Sequence, residues 1–181
     1  MTGELGRGGQ AGPFSFQPID EAGVRAIFAW RYPPPYDIYN LNAGRIEEDL
    51  PVFLDPDNAY YCLYDEADSL VAFCCFGPEA RVPGGDYSAP ALDVGLGMRP
   101  DLTGQGQGVV YAQAALDFGT TWAPAAFRVT VAEFNQRARR VWEKLGFRFV
   151  ERFARSRDGT PFVILAREAR IIPVGPNSKG G

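Results

Sequence analysis

Apolar positions along the chain change period repeatedly, and each change marks an element. Apolar and polar residues alternate over 14–19, which predicts a strand, and Asp20 then caps a helix expected to reach about residue 31. A second helix is expected over 43–54. Two β-rich runs, 59–64 and 70–76, flank the polar turn Asp65-Glu66-Ala67-Asp68 and read as a hairpin. A Pro/Gly-rich loop over 77–90 leads to a strand at 91–98. Beyond it Val109, Ala112, Leu116 and Gly119 recur at helical spacing, with Val110, Ala114 and Ala115 alongside. Phe127, Val129 and Val131 alternate as a strand, and Ala138, Val141, Trp142 and Leu145 then fall at i, i+3, i+4 and i+7 of a helix. That helix has Asn135 as N-cap, Lys144 in its last turn and Gly146 where a left-handed C-cap is expected. Strands at 149–155 and 162–166, around Asp158-Gly159, complete a single domain over 13–167. The flanks 1–12 and 168–181 are expected to be flexible, and no internal repeat is visible.

The junction between the 91–98 strand and the following helix carries the first chemical signal. It contains Gly104, Gly106 and Gly108 at alternate positions. Glycine allows positive φ and close backbone approach, and the first N–H groups of a helix have no internal partner, so the turn is suited to a phosphate. Two other phosphate cradles fail against the letters. The dinucleotide fingerprint G-x-G-x-x-G needs glycine where Val109 stands, and no Gly-Lys-Ser/Thr occurs for a P-loop. A glycine turn that only reverses the chain remains the plain alternative.

The second helix motif changes that balance. Thr103-Gly104-Gln105-Gly106-Gln107-Gly108, followed by a strand and then Asn135-x-x-Ala138-x-x-x-Trp142-x-x-x-Gly146-Phe147, resembles the GNAT N-acetyltransferase superfamily. In that family the first segment matches Q/R-x-x-G-x-G/A, and the second matches N-x-x-A-x-x-x-Y-x-x-x-G-F. The resemblance implies an α/β fold with a mixed, largely antiparallel sheet and helices on both faces, in the order β-α-α-β-β-β-α-β-α-β-β. It also implies that the strands at 91–98 and 127–131 splay apart around the pantetheine arm of acetyl-CoA. The implied cofactor residues are Leu96, Met98, Thr103, Gly104, Gln105, Gly106, Gln107, Gly108, Asn135, Arg139 and Trp142. Thr103 stands where the family has Gln or Arg, which matters little where backbone N–H groups bind the phosphates. Trp142 stands where many relatives have a proton-donating Tyr, and indole cannot serve as that acid. Gly95 and Gly97 inside the preceding strand suggest a bulge or a close backbone approach, or else relief of helix packing.

Composition narrows the remaining classes. At 181 residues, 46% hydrophobic and 22% charged, the chain supports one sizeable core. A net charge of -4 and a pI near 4.9 leave no electrostatic footprint for nucleic acid, and the Arg-rich stretch at 137–140 reads as a solvated helix face. No apolar run is long enough to span a bilayer and the N-terminal residues are glycine-rich, so no membrane association and a cytoplasmic location are expected, as a monomer or homodimer. The absence of histidine excludes a Ser-His-Asp or Cys-His unit and most zinc sites, and no metal is expected. Cys62, Cys74 and Cys75 have no metal-knuckle spacing and read as small core residues.

Attack on a thioester requires a neutral amine. Neutralising a lysine-type amine at pH 7 costs about 4 to 5 kcal/mol, against about 1 for an α-amino group. A carboxylate base is therefore useful for the first and nearly dispensable for the second. Asp93, on the strand beside the expected cofactor, is the first candidate base, an exposed strand-end charge being the alternative; Glu133 is the second. Tyr111 is a candidate to protonate the thiolate, and backbone N–H near Met98 a candidate to hold the oxyanion. Trp30, Tyr32, Tyr36, Asp37 and Tyr39 surround three consecutive prolines and form an expected wall for an amine acceptor, unless they only close the core beneath a loop. The functions in view are an acetyl-CoA-dependent N-acetyltransferase acting by direct attack in a ternary complex, a non-catalytic coenzyme A-binding or sensing domain, and a nucleotide-phosphate module.

Overall fold

The computed structural model describes residues 8–169. Eight strands form one sheet in the spatial order β1-β2-β3-β4-β5-β6-β8-β7: β1 (Gly9–Ala11), β2 (Phe14–Pro18), β3 (Tyr60–Tyr64), β4 (Leu70–Phe76), β5 (Leu92–Met98), β6 (Ala126–Ala132), β7 (Arg148–Ala154) and β8 (Pro161–Glu168). The helices are α1 (Glu21–Ala29), α2 (Ile46–Leu54), α3 (Gly108–Gly119) and α4 (Gln136–Lys144). All neighbours are antiparallel except β5 and β6. None of the described helices is long and apolar enough to cross a membrane.

The alternation of side chains along β3 divides the core between the two faces of the sheet. Cys62 packs with Val24, Ile27 and Phe28 of α1 and with Phe53 of α2. Tyr61 and Leu63 point the other way, into the cluster that contains Ala112, Ala115 and Leu116 of α3. All three cysteines are free and buried, as small core residues would be. Burial pushes the Cys62 thiol up to about 11, Cys75 up to about 12, and Cys74 well above its ordinary range.

Several expected boundaries shift for local reasons. The first helix ends at Ala29 rather than near residue 31, because Trp30 turns extended ahead of the Tyr32-Pro33-Pro34-Pro35 run. Residues 43–45 form a tight 3₁₀ turn before α2, with the Asn42 side chain accepting from the Gly44 amide. The flexible flank expected through residue 12 is corrected at its end. Residues 9–11 pair with β2, since Phe14 stacks on Tyr111 of α3 and Ala11 is buried. At the other end β8 extends to Glu168, and the Ala169 amide donates to the Ala125 carbonyl. Residues 1–7 and 170–181 of the flanks expected to be flexible lie outside those described.

The feature that positions the site is the β5–β6 junction. The two strands pair only at Leu92↔Phe127 and Asp93↔Arg128, after which they diverge. Across the last pair the Asp93 carboxylate receives Arg128 Nε at 2.5 Å and Nη2 at 2.9 Å, with Arg81 Nε at 2.7 Å. The Tyr87 ring lies against both guanidiniums, and its hydroxyl sits 3.1 Å from Thr130 Oγ1. This clasp closes the base of the V and ties the preceding loop to it. The bulge expected at Gly95 and Gly97 is absent: β4 and β5 pair in unbroken register from Ala72↔Met98 to Phe76↔Val94. The glycines answer a cross-strand need instead. A Cβ at Gly95 would lie 2.7 Å from the Cys75 sulfur, and one at Gly97 would enter the Phe73 ring.

Candidate active site

Where β5 and β6 part, a cleft of about 500 Å³ runs from the glycine turn to the aromatic segment between α1 and α2. At one end Gly104 and Gly106 have φ of +74° and +78°, left-handed values that favour glycine. Among the described residues the backbone amides from Gly104 to Val109 donate to no backbone carbonyl, and Gly104, Gly106, Gly108 and Val109 line this end of the cleft ahead of α3. Nothing lies within 4 Å of where a Gly106 Cβ would sit, which leaves that backbone open to a ligand. Gly108 has a different duty: a Cβ there would lie 2.8 Å from Val141 Cγ2, so its absence lets α3 and α4 approach.

Along the side of this cradle run Arg137, Arg140 and Lys144 of α4, all lining the cleft. Their i, i+3, i+7 spacing places them on one face. The Arg137 guanidinium lies 3.9 Å from the centre of the Tyr36 ring, and its Nη1 would be 3.2 Å from a Cβ on Gly104. Two left-handed glycines, free helix amides and three cations suit a pyrophosphate bearing a further phosphate, which is the anionic part of coenzyme A.

The middle of the cleft is walled by the unpaired edge of β5 and by Val129, Thr130 and Val131 of β6. The Asp93 carbonyl and the Arg99 amide bond toward the β4 side of β5. Alternation therefore turns the backbone groups of Val94, Leu96 and Met98 to the open edge. Tyr32 Oη donates to the Met98 carbonyl at 2.6 Å, and burial pushes this phenol up to about 12. Tyr39 Oη accepts from the Ala132 amide at 3.3 Å and from Asn135 Nδ2 at 3.2 Å, leaving its own hydrogen for an acceptor in the cleft. Burial raises the Tyr39 phenol as well. Asn135 also caps α4, its Oδ1 accepting from the Ala138 amide at 3.1 Å.

The expected site residues divide accordingly. Leu96, Met98, Thr103, Gly104, Gly106, Gly108, Asn135, Trp142, Tyr32, Tyr36 and Tyr39 line this one cleft. Gln105 and Gln107 belong to the turn without lining the cleft; the Gln105 side-chain Nε2 donates to the Asp101 carbonyl. Arg139 points elsewhere, toward Glu143. Trp30 packs against Phe73, and Asp37 is exposed in the 3₁₀ turn Tyr36–Tyr39.

The acid and base candidates are displaced from the cleft. Asp93 is 1% exposed inside the clasp, because its side chain meets two arginines rather than the open edge. Glu133 is turned out to Arg152, whose guanidinium at 2.7 Å holds the carboxyl below its usual range. Tyr111 is buried against Phe14. The residues missed were Arg137, Arg140 and Lys144. Their signal was the basic row itself, hidden by the chain's negative net charge.

Comparison with known proteins agrees with this geometry. The family model described as the acetyltransferase (GNAT) family matches residues 22–147. Among curated proteins none is significantly similar in sequence. A GNAT-family acetyltransferase from Bacillus anthracis superposes with a TM-score of 0.68 at 16% identity, over 90% of this chain and 99% of that one. Spermidine N-acetyltransferase from Vibrio cholerae, solved with CoA and spermine, gives 0.66 at 16% identity, over 87% and 96%. An aminoglycoside N(6')-acetyltransferase from Legionella pneumophila gives 0.64 at 18%, over 87% and 92%. With the family's span covering most of the domain, the chain belongs to the GNAT acetyltransferase family and is an acyltransferase.

Proposed function

We propose that the protein transfers the acetyl group of acetyl-CoA to a primary amine, by direct attack within a ternary complex. The observation that carries this reading is the continuity of the cleft, in which a phosphate cradle, an open strand edge and a wall of tyrosines share one volume. Donor and acceptor therefore have room to meet without leaving the protein. Among the described residues the lining has no cysteine, serine or histidine, and the hydroxyls of Thr103 and Thr130 are engaged by the Pro100 carbonyl and the Tyr87 hydroxyl, with no carboxylate or imidazole in the lining to activate them for an acyl-enzyme. Two of the fold relatives named above, the spermidine and the aminoglycoside N-acetyltransferases, act on the amines that their names give, which supports an amine acceptor here.

Acetyl-CoA, when bound, supplies a thioester carbonyl and a thiol leaving group. The amides of Gly104 to Val109 and the Arg137, Arg140 and Lys144 side chains hold the phosphates. The open edge of β5 at Leu96 and Met98 aligns the arm and donates N–H to the developing oxyanion. Trp142, 5% exposed and packed edge-on against Phe147, forms a fixed apolar wall with no proton to transfer. Tyr39 takes the acid role first considered for Tyr111. Its hydroxyl is held by two donors and its proton is directed into the cleft.

Thiol release with a panel of primary amines, paired with detection of the acetylated product, tests the reading. Gly106→Asp is expected to remove coenzyme A protection in thermal melts while helix content stays unchanged. Tyr39→Phe is expected to keep that protection and lose about 10²-fold in kcat. Coenzyme A binding without turnover on any amine would make the protein a coenzyme A-binding domain instead.

A further inference from the structure

Resting on the reading of the site as an N-acetyltransferase, the charge of the cleft points to the class of amine. Among the described residues the lining contains no aspartate or glutamate. Its ionisable groups are Tyr32, Tyr36 and Tyr39 from the segment after α1 and Arg137, Arg140 and Lys144 from α4. Neither β5, β6 nor α3 adds any. Of the nearby carboxylates, Asp93 is held between Arg81 and Arg128, Glu133 lies on Arg152, and Asp37, on the turn that carries Tyr36 and Tyr39, is exposed and does not line the cleft. With the three cations engaged by the cofactor phosphates, an ammonium entering the rest of this cleft finds no carboxylate in the lining to offset its charge. The Tyr36 face that could attract it already carries the Arg137 guanidinium at 3.9 Å.

We propose that the acceptor is a weakly basic primary amine of the α-amino type, delivered to the cleft as the free base, and that polyamines and lysine-type side chains are excluded. At pH 7 about one molecule in ten of an α-amine is neutral, against about one in 2,500 for an alkylamine with the basicity of lysine. With no carboxylate to attract the charged form or remove its proton, that population ratio passes directly into the rate. The apolar faces of Tyr32, Tyr39 and Phe73 suit an acceptor that carries an aromatic or aliphatic side group beside the amine.

The test compares, on the wild-type enzyme with saturating acetyl-CoA, a dipeptide with N-terminal phenylalanine, 2-phenylethylamine and spermidine. At pH 7 kcat/KM for the dipeptide is expected to exceed that of either other amine by 10²-fold or more. For 2-phenylethylamine, log kcat/KM is expected to rise with unit slope up to the amine's own pKa. An earlier plateau would reveal an enzymic base, and comparable rates for spermidine at pH 7 would reveal a hidden anion; either result overturns the proposal while leaving N-acetyl transfer intact. Failure of all three amines, in a protein that still binds coenzyme A, overturns the parent reading and this one with it.

Discussion

At the scale of single residues, Asp93 shows how one side chain can satisfy a motif-level expectation and yet do something else. A carboxylate flanked by Leu92 and Val94 on a strand needed a reason to be there, and that much was legible. The reason was not, because Arg128, 35 positions away, became its partner only when β5 met β6. With side-chain exposures of 2% and 4%, the pair is excluded from water, and losing one member strands the other's charge. Asp93→Asn is therefore expected to destabilise the fold by about 3–5 kcal/mol. Asp93→Asn combined with Arg128→Gln should recover part of that loss, which urea midpoints will measure. Because the carboxylate faces no substrate, the folded fraction of Asp93→Asn should show no selective recovery of kcat/KM at high pH. Such a recovery would restore Asp93 as the base.

At the scale of elements, α4 breaks a local rule in an informative way. A helix N-terminus carries partial positive charge and favours acids, yet the first turn of α4 has none and holds Arg137 and Arg139, with Arg140 just beyond. Among the described residues Arg140 forms no ion pair and Arg137 meets the Tyr36 ring rather than an acid, so no carboxylate among them offsets that disadvantage at either residue, whereas Lys144 in the last turn suits the other end of the dipole. An anionic ligand on this face offsets the disadvantage. Reversing both charges, Arg140→Glu with Lys144→Glu, is expected to weaken coenzyme A at least tenfold and flatten the salt dependence of binding, with helix content unchanged by circular dichroism. Wild-type affinity in that variant would mean that the row faces solvent. The caps and periods of α3 and α4 were readable because their signals are local: Asn135, Gly146 and the glycine turn each act within a few residues. The direction of the basic row was not, since it depends on how closely Gly108 lets α3 approach Val141.

At the scale of the whole molecule, the succession of elements along the chain followed from the alternation of periods, whereas the extra edge strand β1 did not. Its three residues carry almost no pattern of their own and are held by Phe14 and by Phe118, which would lie 3.0 Å from a Cβ on Gly9. The same burial sets how stability responds to pH. With no histidine in the chain, no imidazole titrates between about pH 5 and 8, and apart from Lys144 and Lys179 the side-chain cations are arginines that stay charged. Among the groups with raised values are acids of the alkaline range: Cys62 moves from 9.0 to about 11, Cys75 from 9.0 to about 12 and Tyr32 from 10.0 to about 12, in each case chiefly by desolvation. Above their unfolded values the unfolded chain loses these protons more readily than the native one, so their contribution is complete below about pH 9 and drains away between 9 and 12. The urea midpoint, measured with a reductant that keeps the thiols free, is expected to hold steady from pH 7 to about 8.5 and to fall steadily above 9. Replacing Cys62 and Cys75 by alanine should lower the neutral midpoint through lost packing while making the decline from pH 9 to 10 shallower. A midpoint that stays level to pH 10.5 would show that these groups titrate alike in both states, and that the core around Cys62 and Cys75 admits water.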